Sequence, residues 1–184
     1  MSARTFIASA IAFFLAAAAS ASMPVPVDVQ TDLFLNIGKL DRAFDPSKGV
    51  TIGILYQQGY PESVGVKDAM IAAIKLRNLP IVCVPLEVGS AQLLRKRLAE
   101  TDANIIYVAP LRSVDVSEIG QITRQRKIRS ATGVPEYVEL GIAVGIGLRN
   151  KRPLIIIHLG NARAEGSDFS SQLLSLARIV GPLR

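Results

Sequence analysis

Three apolar runs, each followed by a stretch of helical period, limit the possible folds more than any other feature of the chain. "VTIGILY" (50–56), "PIVCVPLEV" (80–88) and "NIIYVAP" (104–110) are short and rich in β-branched residues, so they read as strands. Between and after them lie helix signals. Pro61 suits a first helical turn ahead of Val66, Met70, Ala73 and Ile74. Ser90 can cap a helix carrying Leu94 and Leu98, and Ser113 or Asp115 one carrying Ile119 and Ile122, extending towards Arg126. Strands this continuously apolar are covered on both faces, which a parallel sheet between helix layers provides. Pro85 places its end of the second strand at a sheet edge or bend.

The two ends of the chain depart from this rhythm. Leu33, Ile37, Leu40 and Phe44 recur at helical spacing, predicting a first helix over about 28–44 that the "DPSKG" segment breaks. Further on, "LGIAVGIGLRNKRPLIIIHLG" holds two apolar runs joined by Arg149-Asn150-Lys151-Arg152, a link too short for a crossover and suited to an antiparallel hairpin. Ile142, Val144, Ile146 and Leu148 point one way from the first of these runs; Ala143, Gly145 and Gly147 form a small face that another element can approach. Phe169, Leu173, Leu176, Ala177 and Val180 then fall on one stripe of a closing helix, with Ser167 or Asp168 placed to cap it. The expectation is a single three-layer α/β domain over 28–184: a mixed sheet with alternating β/α units, a C-terminal antiparallel hairpin and a closing amphipathic helix.

The N-terminus sets the compartment. Arg4 precedes an apolar run from Phe6 to Ala19 interrupted only by Ser9, and Ala19-Ser20-Ala21 has the small-x-small form of a cleavage site. This is the layout of a secretory signal peptide over 1–21, and the run is short for a membrane span. An extended, proline-containing leader over 22–27 follows. The expectation is an exported, periplasmic protein, not an integral membrane protein. A net charge of +6 favours acidic partners weakly and does not indicate nucleic acid. Cys83 is the only cysteine, so no intrachain disulfide supports the core.

Catalytic signals are absent from the pattern. His158 is the only histidine and has no marked nucleophile, carboxylate or metal-ligating companion, so it reads as structural. Gly141, Gly145 and Gly147 follow GxxxGxG within a strand, which does not fit the strand-to-helix turn of a dinucleotide site. No catalytic residue, metal site or cofactor is expected. Asn161, Arg163 and Glu165 read as surface polar groups of a loop. Two surfaces remain as binding candidates. Ligands of open α/β sheets sit beyond the carboxyl ends of parallel strands, which selects Gln57, Gln58, Arg112 and Ser113 in the loops after the first and third strands. Arg124, Arg126, Lys127 and Arg129 form the densest basic cluster, suited to closing a helix or meeting an acidic partner.

The stretch from Glu139 to Val180 resembles the C-terminal signature of the YfiR-like family of bacterial periplasmic proteins. Gly141, Ala162, Gly166, Ser170, Ser171, Leu173, Leu174, Leu176, Ala177 and Val180 carry the likeness. The resemblance implies a small periplasmic regulator that represses an inner-membrane diguanylate cyclase through that partner's periplasmic region, and it implies homodimers. The chain departs from the pattern where Arg42-Ala43-Phe44 replaces a Trp-Pro pair, where His158 replaces Asn, and where Cys83 alone leaves no disulfide. Two readings therefore stand: a non-enzymatic regulator of an inner-membrane sensor or cyclase, or a small-ligand-binding sensor or carrier using the Gln57/Arg112 crevice.

Overall fold

The computed structural model describes residues 23–181. Its elements in chain order are α1 (Val27–Lys39), β1 (Val50–Tyr56), α2 (Pro61–Leu76), β2 (Ile81–Glu87), α3 (Ala91–Ala99), β3 (Ile105–Val108), α4 (Val116–Arg126), β4 (Arg129–Thr132), α5 (Glu136–Glu139), β5 (Val144–Arg149), β6 (Arg152–His158), α6 (Leu159–Ala164), α7 (Ser171–Leu176) and β7 (Arg178–Val180). The strands form a seven-stranded sheet in the order β2-β1-β3-β4-β5-β6-β7. The first five are parallel, β6 runs antiparallel to β5, and β7 runs parallel to β6. The mixed α/β architecture expected from the pattern is the one observed.

Register assigns the two faces. Ile54, Tyr107, Ala131 and Val144 are partners across four strands and share one face; Leu55, Val108, Thr132 and Gly145 share the other. Over the first face lie α1 and α2, tied by the Arg77–Asp32 ion pair at 2.7 Å and by Thr31 against the Met70 sulfur. Over the second lie α3 and α4, whose Leu94, Leu98, Ile119 and Ile122 pack with Leu55, Ile106 and Val108. Helix starts follow local chemistry: Ser90 accepts from Leu93 N–H, Asp115 from Ser117 N–H, and Pro61 opens α2.

The buried polar groups on the first face explain how α1 is held. Gln30 is fully buried, donating from its amide to Val25 carbonyl at 2.6 Å and accepting from the Tyr107 hydroxyl at 2.9 Å. The segment before α1 is thus packed rather than free, with Val25 in the core.

Four local expectations change. The first helix ends at Lys39, because the chain turns at Leu40 so that Asp41 can bridge to Phe169. A strand, β4, occupies 129–132 where the pattern marks only the end of a basic helix; its Ser130 and Thr132 hydroxyls are buried but bonded. Residues 159–164 form α6 instead of a loop. The closing helix is short: Ser170 caps α7 through Leu173 N–H, Leu176 is 66% exposed, and Arg178–Val180 turn back as an edge strand on β6. The hairpin expectation holds, with Asn150 and Lys151 both at positive φ (52° and 62°), the backbone of a two-residue type I′ turn. Leu148, at its tip, is exposed.

The small face of β5 has the role its composition suggests. A Cβ on Gly145 would overlap the buried Val138 methyl of α5, whereas one on Gly65 in α2 would meet nothing within 4 Å. Gly145→Ala should therefore lose about 1–3 kcal/mol of stability. Gly65→Ala should gain about 0.5–1 kcal/mol. Urea unfolding of both variants checks the pair.

Candidate functional site

Strand order reverses at β1: the chain goes outward to β2 and then returns to β3 on the other side. The loops after β1 and β3 consequently diverge from one point, the place where open α/β sheets receive ligands. Three of the four expected residues meet here. The Gln57 side-chain oxygen accepts from Arg112 N–H at 2.9 Å and Ser113 N–H at 3.2 Å, so it braces one loop against the other. Gln57 N–H donates to Ser63 Oγ at 3.0 Å, holding the brace to α2. Gln57 is thus a structural strut. Gln58, Arg112 and Ser113 are exposed at the rim.

Sequence reasoning did not single out the aromatic groups between them. Arg112 lies 4.0 Å over the Tyr60 ring, a cation–π stack, and the Tyr60 hydroxyl hydrogen-bonds the Glu62 carboxylate. That bond to Glu62, with burial, pushes the Tyr60 hydroxyl above its ordinary value, against the pull of Arg112. On the other side the Tyr137 hydroxyl accepts from Leu111 N–H at 2.9 Å and lies 3.1 Å from Leu111 carbonyl, fixing the loop after β3. The first turn of the 16-residue α2 has no capping side chain at this end. The rim therefore offers one guanidinium, one carboxylate and a helix start within a few residues of the reversal point, with the Tyr60 ring buried beneath Arg112. The only signal in sequence was "YPE" after an apolar strand, which reads first as a helix start.

The basic cluster does not act as one surface. Arg129 sits in β4, where its Nε donates to Asp41 at 2.8 Å and its guanidinium lies 5.0 Å over Phe44. Arg124 reaches Gly141 carbonyl at 3.3 Å, and only Arg126 and Lys127 are exposed. His158 caps α6, its Nδ1 accepting from Asn161 N–H at 3.2 Å. Cys83 is half-buried, and burial pushes its thiol up. No group of three or more His, Cys, Asp or Glu suited to a metal occurs among the described residues.

The amino-terminal ends of the strands hold a second polar system. Asp41 is buried; burial pushes its carboxyl up, but Arg129 and the N–H of Asp168 more than offset this and hold it below its ordinary value. Glu165, expected on the surface, is 1% exposed under β4. It accepts from Ser130 N–H at 2.8 Å, Ser130 Oγ at 2.6 Å and Thr123 Oγ1 at 2.6 Å. Burial nevertheless dominates those bonds and raises its carboxyl to about 7. Beside these groups, on the α1 face, lies a cavity of about 520 Å³.

No protein-family model matches the chain, and no curated protein matches it in sequence. Its fold is similar to the ABC domain in complex with L-Trp from Streptococcus pneumonia, at TM-score 0.65 and 12% identity over 84% of this chain and 62% of that one. It is similar to a conserved domain protein from Vibrio cholerae O1 biovar El Tor, at TM-score 0.64 and 14% identity over 85% and 60% of the two chains. It is similar also to CD0873, a substrate binding protein with adhesive properties from Clostridium difficile in its ligand-free, open structure, at TM-score 0.58, 15% identity, and 85% and 60% coverage. The chain spans 60–62% of the length of these proteins. This is an α/β fold that binding proteins share. No helix among the described residues is long and apolar enough to cross a membrane.

The Glu165 carboxyl gives a pH test. Its folded value, about 7, lies above the ordinary 4.5, so the native state holds the extra proton between these values. Its contribution is complete below about pH 4.5 and is lost as pH rises through about 7, on the order of 3 kcal/mol in all. Glu165→Gln should flatten the decline in urea-unfolding stability between pH 5 and pH 8.

Proposed function

We propose that the protein is a non-catalytic, exported small-ligand-binding module, with its site at the carboxyl ends of β1, β3 and β4. The observation that carries this reading is the strand reversal at β1, with Arg112 stacked on Tyr60 at that point. Structural neighbours support it, two of them being a domain in complex with L-Trp and a substrate binding protein. Gln57 and Ser113 shape the crevice; Gln58 and Arg112 contact the ligand.

The rim favours a small zwitterion of the amino-acid class. Arg112 and the uncapped start of α2 suit a carboxylate, because a guanidinium and helix N–H groups both stabilise an anion. Glu62 beside the Tyr60 hydroxyl suits an ammonium group. The export signal read at residues 1–21 lies outside the described residues and places this activity in the periplasm on the same reading.

The regulatory reading, repression of an inner-membrane diguanylate cyclase by a homodimer, rests on the C-terminal YfiR-like resemblance. The binding reading has the additional support of the fold neighbours. The split of the basic cluster, with Arg129 and Arg124 turned to internal partners, leaves Arg126 and Lys127 as its exposed cations for an acidic receptor.

A thermal-shift screen of amino acids and small carboxylates tests the proposal. A zwitterion that raises the melting temperature of the parent should lose about tenfold or more in affinity with Arg112→Ala, since a charge-assisted contact contributes about 1.5–3 kcal/mol. Equal binding by the variant would contradict the assignment.

A further inference from the structure

The hairpin between β5 and β6 ends in the stretch Leu148-Arg149-Asn150-Lys151-Arg152-Pro153, and all six residues are exposed. β5 is parallel to β4, so this tip leaves the sheet at the same end as the Tyr60–Arg112 crevice. Beyond Gly145, its last residue paired with β4, β5 continues to Arg149, about 13 Å at about 3.3 Å per residue. The tip is held in one shape. Its strands are registered pair by pair from Val144↔Ile157 to Arg149↔Arg152, and Asn150 and Lys151 close it at positive φ.

Three cations and no acid stand in these six residues, within a chain whose whole net charge is +6. Among the described residues, the side chains of Arg149, Lys151 and Arg152 have no ion-pair partner. Glu136 follows Pro135, which lies against Gly147, yet it pairs with neither arginine. Glu139 of the same helix is taken by Arg178 at 3.6 Å. Register adds a second observation. Arg149 and Arg152 are direct partners across the hairpin, where Cβ atoms stand about 4.5–5.5 Å apart and like charges destabilise the pair. The tip therefore carries a repulsion that an anion would relieve. On the other face of the ribbon Leu148, 46% exposed, lies across from Pro153.

We infer that the hairpin tip docks on an anionic phospholipid surface. Two guanidiniums side by side match phosphate oxygens, and the Leu148–Pro153 face suits the shallow apolar layer beneath the head groups. A protein partner fits less well, because the tip is far smaller than the roughly 20–30 residues per side of a stable protein interface. Docking by this end turns the crevice rim towards the bilayer. The docking surface stands whether or not the crevice takes a zwitterion.

The chain has no tryptophan, so Leu148→Trp places a single reporter at the tip. The full chain is used throughout, so any contribution of residues 1–22 is common to parent and variants. With phosphatidylcholine vesicles that contain phosphatidylglycerol, the emission should shift to the blue and saturate. With phosphatidylcholine vesicles lacking it, the emission should stay unchanged. Arg149→Gln, Lys151→Gln and Arg152→Gln in that background should each weaken partitioning about fivefold, and together about a hundredfold. Salt at about 1 M should reverse the shift, because the screening length falls to about 3 Å. Arg152→Gln should melt no lower than the parent, since it removes a like-charge contact. Equal shifts with neutral vesicles, no shift with anionic ones, or a triple variant that partitions like the parent would overturn the docking surface. A lower melting temperature for Arg152→Gln would overturn the repulsion on which it rests. Binding of poly-glutamate with no response to vesicles would assign the tip to an acidic protein instead, and would equally overturn the membrane reading.

Discussion

The buried pair between Asp41 and Arg129 is the interaction on which the arrangement of this chain turns. The α1 helix precedes the first strand, so the chain must leave the sheet face and pass its amino-terminal end before β1 can begin. Asp41 sits at that passage. Its carboxylate takes Arg129 from β4 and the N–H groups of Ala43 and Asp168, while its backbone bridges to Phe169. Leu40 carbonyl accepts from Ser170 N–H, and Arg42 pairs with Asp168 at 2.8 Å. One carboxylate thus joins the first helix, a central strand and the C-terminal segment. Removing one partner of such a pair leaves a buried charge unmatched, which is the costly event.

That closure separates two ends of the sheet with different chemistry. At the carboxyl ends, diverging loops are braced by Gln57 and Tyr137 and present Arg112 and Glu62 at the rim, over the buried Tyr60 ring. At the amino ends, buried carboxyls and hydroxyls surround one end of an apolar groove. The first suits a polar small molecule held by a few directed groups. Helices laid over a parallel sheet leave space only at its ends and under a helix that does not continue.

Much of the fold was legible because burial on two faces writes a strong pattern. β1, β2 and β3 are continuous apolar runs, and Pro85 marks the sheet edge at which β2 is found. The hairpin and the small face of β5 were legible for the same reason. β4 was not, because "RSAT" has no apolar alternation: its Ser130 and Thr132 face the covered side, satisfied by Glu165 and by the Val108 carbonyl, which lie far away in sequence. Glu165 looked like a loop residue because nothing local reports its burial. The C-terminal stripe over-predicted a helix, since residues 178–180 fit an edge strand equally well and pairing with β6 decides it. For the site, fold position located Gln57, Gln58, Arg112 and Ser113 at one end, but a brace and a contact residue cannot be told apart without geometry. Tyr60 and Glu62 needed the structure for the same reason.

The central claim is that the reversal point at β1 is a binding site. Amide NMR of the protein against amino acids and small carboxylates tests it most directly. The account predicts saturable shifts confined to residues 57–63, 110–113 and 134–137. Saturable binding that shifts other surfaces and leaves those loops unmoved would contradict it.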